Sequence, residues 1–122
     1  MFSKDVENIL NSFNTRFSST NQLLQAWLSF IEQCAEGYEM NIYEYDNDLS
    51  VRNIIQKLLD SVQLQKYPEF MVFAENVASA DVKFKSLLSK TQSRNDKTEW
   101  WQRGILNSAG DEYMSDIKSQ YP

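Results

Sequence analysis

The stretch Asp46-Asn47-Asp48-Leu49-Ser50 places oxygen-bearing side chains at alternate positions. Calcium loops begin with this spacing, because a hard cation is wrapped by oxygens from every second residue. Such a loop then needs a glycine at its sixth position and a bidentate glutamate at its twelfth. The chain has Val51 and Lys57 there, and the calcium reading fails. Asp111 and Glu112 are adjacent carboxylates of the kind used in acid–base chemistry. Their place in a predicted first helical turn is accounted for by the helix dipole, which favours anions there.

The chain contains no histidine. That removes the commonest general base, the Ser-His and Cys-His nucleophile pairs and the commonest metal ligand. It also removes the Glu-x-x-His ligand pattern of di-metal bundles. The single cysteine, Cys34, lies in the most apolar segment and reads as a core thiol, inert without a cationic neighbour. There is no glycine-rich phosphate loop and no cysteine pair for zinc. The expectation is a protein that is not an enzyme, with no cofactor and no bound metal.

What remains is EGYEMNIYEYDNDLS, residues 36 to 50. It carries five acidic residues, no basic one and three tyrosines. Five negative charges equal the net charge of the whole chain, −5. Glu36 and Asp48 have bland explanations as helix-end residues. Glu39, Glu44 and Asp46 have none. Like charges gathered without structural need suit a surface that meets a cationic partner. Tyrosines add contact area at low entropic cost. The predicted partner-binding residues are therefore Glu39, Tyr43, Glu44, Tyr45, Asp46 and Asp48.

The elements that must carry this surface follow from apolar spacing. With 122 residues and 42% hydrophobic residues, one domain over residues 1–122 is expected. Glycine and proline are scarce, three and two, and the spacing is helical almost everywhere. A first helix carries Val6, Ile9, Leu10, Phe13 and Phe17, with Ser3 as its cap. The segment SSTN, residues 18 to 21, caps a second helix, whose Leu23, Leu24, Trp27, Leu28, Phe30, Ile31, Cys34 and Ala35 cover more than half its circumference. A helix so apolar should be central. Gly37 stops it.

A third helix is predicted from Asp48 or Ser50, with Val51, Ile54, Ile55, Leu58, Leu59 and Val62 inward. Tyr67-Pro68 starts a fourth, with a break expected near Ser79 and Asp81. KTQSRNDKTE, residues 90 to 99, has no apolar residue and reads as a loop. Of Trp100 and Trp101, at least one should plug the core, and Arg103 could pair with the acidic stretch or stack on a ring. Ser108 to Asp111 resembles a capping box opening a last helix. The expected fold is an all-α, single-domain bundle of five or six helices, residues 36–50 being mostly an irregular acidic connection.

No apolar run approaches a membrane span, and MFSKDVENIL has no signal-peptide character. The lone cysteine and this start point to a cytoplasmic protein. The negative net charge disfavours nucleic acid as a partner.

In size, charge and composition the chain resembles bacterial toxin-immunity proteins, those of contact-dependent growth inhibition systems and of nuclease bacteriocins. YEYDNDLS (residues 43–50), the acidic excess and the aromatics carry the resemblance. It implies a cytoplasmic protein, monomeric when free, that binds a cognate toxin domain, often a basic nuclease. Tyr43, Glu44, Tyr45, Asp46 and Asp48 would then face the toxin's cationic residues. The alternatives are a secretion chaperone or adaptor, and a helical regulatory subunit of an enzyme complex.

Overall fold

In the computed structural model, which describes residues 4–63 and 67–122, the chain is mostly helical. The elements run α1 (Lys4–Asn11), α2 (Thr20–Gly37), α3 (Ile42–Leu49), α4 (Val51–Ser61), α5 (Pro68–Lys85), β1 (Leu88–Ser93), α6 (Trp100–Arg103), β2 (Gly104–Leu106) and α7 (Asp111–Gln120). The all-α expectation thus holds in its coarser sense: a helical fold that also carries a small two-stranded sheet.

Helix α2 is the centre. Ser19 caps it by accepting a hydrogen bond from the Gln22 N–H at 3.2 Å, which satisfies one of the orphan donors of the first turn. Gly37 ends it with φ 99°, a conformation that side chains disfavour. Between these ends Leu23, Trp27, Phe30, Ile31 and Cys34 are buried. Trp27 meets Phe30 and Phe84, with ring centroids 5.9 and 5.0 Å away. Helices α4 and α5 pack on two sides of α2, α4 through Val51, Ile55 and Leu58.

Five expectations are corrected here. Residues 42–49 are a helix and not an irregular connection. Asn41 caps it by accepting from the Glu44 N–H at 2.9 Å, and Ile42, Tyr45 and Leu49 form its buried side. The acids between them hid that period. Asp48 consequently lies inside α3 and opens no helix. Ser50, in the right-handed helical region, is the single-residue joint to α4.

Helix α5 does not break near Ser79. Asp81 is turned inward within one continuous helix, where it accepts from Trp27 Nε1 at 3.0 Å and from Arg52 Nε and Nη2 at 3.0 and 2.8 Å. A side chain committed to the core cannot cap a new helix.

Residues 90–93, read as loop, belong to β1. This strand pairs antiparallel with β2, Leu88 opposite Leu106 and Ser93 opposite Gly104, with an irregularity between. The strand is polar because it lies outside, while Gly104, Ile105 and Leu106 of β2 are buried. A Cβ on Gly104 would run into the Leu88 side chain, so only glycine fits this crossing unshifted. Helix α7 is capped by Gly110 with no side-chain hydrogen bond, and Ser108 closes no capping box. Pro68 does open α5. The predicted cap Ser3 lies outside the described residues.

Candidate functional site

The six residues predicted to bind a partner are not one surface. Tyr45 is fully buried, 0% exposed. Its ring packs on Phe30, Tyr38 and Tyr113, with centroids 5.4, 5.4 and 4.8 Å away. In an eight-residue helix with Ile42 and Leu49 inward, position 45 faces the core as well.

Asp46 is held by Arg94 in a two-pronged ion pair, Nη1–Oδ1 2.6 Å and Nη2–Oδ2 2.9 Å. Arg94, 1% exposed, also donates to the Tyr121 hydroxyl and to the Gln102 carbonyl, at 3.2 and 3.5 Å. Burial works against the Arg94 charge. Hydrogen bonds to Asp46 and Tyr121 outweigh it and hold the guanidinium protonated more firmly than usual. Asp48 accepts from the Tyr38 hydroxyl at 2.8 Å. Burial of Tyr38 and this bond to Asp48 push the phenol's pKa up.

Glu39, Tyr43 and Glu44 remain outside, with Tyr43 76% exposed. The cation that reaches the acidic stretch is thus Arg94, from the segment that sequence reasoning took for a solvated loop. Nothing local signals this, since the partners are 48 residues apart.

The tertiary fold adds acids that the sequence kept separate. The Gly110 N–H donates to the Tyr38 carbonyl at 2.6 Å, docking the start of α7 on the link before α3. Asp116 accepts from the Ile42 N–H at 3.0 Å and fastens α7 to the start of α3. Helix α3, the link before it and the start of α7 thereby bring Glu39, Glu44, Asp111 and Glu112 to one region, all exposed. Residues 36–48 and 104–117 contain no lysine or arginine. Two open depressions lie here. One of ≈ 450 Å³ is lined by Glu36, Tyr38, Glu39 and Met40, the other of ≈ 390 Å³ by Asn41, Asp111, Glu112 and Asp116. Met40 is 40% exposed.

A third recess, ≈ 340 Å³, lies beside Asp46, Ser50, Asn53, Asp96, Thr98 and Gln102. Its polar groups are engaged: Asn53 Oδ1 accepts from Gln102 Nε2 at 3.3 Å and from the neighbouring Trp101 Nε1 at 2.6 Å, and Gln102 Oε1 accepts from the Thr98 hydroxyl at 3.4 Å. Trp101 is accordingly a buried plug. The half-buried Trp100 carries Lys85 Nζ 4.4 Å from its ring centroid. Among the described residues, no group of three or more His, Cys, Asp or Glu is arranged to hold a metal ion.

Cys34 is 3% exposed, and burial, with the charge of Asp48, pushes its thiol up to about 12. Thiolate is the reactive form. Native-state labelling with a disulfide reagent at pH 8 is therefore expected to run at least about a thousandfold slower than in urea, because it waits for unfolding. Labelling within the mixing time of the folded protein would contradict the burial.

No family model matches the chain, and no solved structure does. Over 113 residues it is 28% identical to Autophagy-related protein 25 of Pichia angusta, covering 89% of this chain and 29% of that protein. The chain therefore spans under a third of the length of this relative. A likeness to a yeast autophagy-related protein overturns the reading as a bacterial immunity protein with a toxin domain as partner. It lends no support to the chaperone or enzyme-subunit alternatives either. Size, an acidic excess and an acidic, tyrosine-bearing stretch such as residues 43–50 are general features that unrelated small helical domains share, and they carried that resemblance.

Proposed function

We propose that the chain is a non-catalytic protein-interaction module that works in an autophagy-related process in the cytoplasm of a eukaryotic cell. The process is inferred from the name of the similar yeast protein. The interaction role rests on one observation: acidic segments, residues 36–48 and 104–117, that contain no lysine or arginine of their own and expose Tyr43 to 76%. Tyrosine is one of the residue types most enriched where binding energy concentrates. The cationic segment of a partner protein is the chemistry this region fits, and like charge around it would steer the encounter. The non-catalytic reading is supported by the absence of histidine and the burial of Cys34. Among the described residues no helix is long and apolar enough to cross a membrane.

The test replaces the gene in its own organism with a Glu39→Lys/Tyr43→Ala/Glu44→Lys version. All three positions are exposed, so the protein level should hold. Autophagic flux is expected to fall toward that of a deletion strain. Normal flux in the deletion strain would remove the autophagy assignment. Normal flux in the triple variant, with a defect on deletion, would remove the surface.

A further inference from the structure

We draw no further inference here: the strongest candidate, the open depression at the end of α2 lined by Glu36, Glu39 and Met40, is an acidic cluster within the region already described, and nothing in the structure besides those carboxylates points to a ligand.

Discussion

Asp81→Ala is expected to cost the fold about 3–5 kcal/mol, measured by urea unfolding. The carboxylate is the meeting point of three donors: Trp27 Nε1, Arg52 Nε and Arg52 Nη2. The side chains of Arg52 and Asp81 are 4% and 12% exposed. Removing the anion strands a guanidinium that water scarcely reaches, and it orphans the indole N–H of a fully buried tryptophan. Arg52 would keep Gln56, at 3.1 Å, and the Trp101 ring, 4.5 Å from its guanidinium carbon. Neither neutralises it.

A domain of this length has about 6–18 kcal/mol of stability in total, so the loss would leave a protein near its threshold or beyond it. The double variant Arg52→Met/Asp81→Ala removes both charges and should be less destabilised than Asp81→Ala alone. A loss below about 1 kcal/mol for Asp81→Ala would mean that the pair is not desolvated as described.

Asp46→Ala should produce the second large effect, about 2–3 kcal/mol. The argument turns on an asymmetry. The Arg94 side chain is 2% exposed and that of Asp46 is 38% exposed. Without Asp46, a buried cation keeps only the Tyr121 hydroxyl and one carbonyl. Without Arg94, water can solvate the remaining carboxylate. Arg94→Met, which largely keeps the volume, should therefore cost less than Asp46→Ala, by about 1 kcal/mol. The reverse order in urea unfolding would refute this account. The same pair of measurements separates roles within the acidic stretch. Glu44→Lys, on the solvent side of the same helix, should change stability by no more than about 0.5 kcal/mol.

Much of the helical frame was legible. The caps at Ser19 and Gly37 and the start at Pro68 are local events, each decided by one residue's own geometry. The apolar periods of α2 and α4 likewise need only the pitch of a helix. Helix α3 was harder to read, because its buried residues are separated by acids whose charges draw the eye to solvent. The strand β1 has no signature of its own. A polar segment becomes a strand here because buried β2 offers it hydrogen bonds.

The candidate surface was legible as composition and illegible as geometry. Residues 36–50 do concentrate acid and tyrosine, and Glu39, Tyr43 and Glu44 do face water. Tyr45, Asp46 and Asp48 are drawn inward by Tyr113, Arg94 and Tyr38, two of which are contributed from far along the chain. Asp111 and Glu112 belong to the same region only because α7 docks through Gly110 and Asp116.

Sequence alone thus determined a mostly helical chain, its central helix and the absence of histidine chemistry, since these depend on residue types and on spacing within one element. Tertiary structure alone decided which acids are free. A charge counts at a surface only if no buried cation claims it, and Arg94 claims Asp46 across 48 residues. It also decided that Met71, Val72 and Val82 of α5 stay in water. Periodicity tells how many faces a helix would bury, and only the packing of its neighbours tells how many are covered.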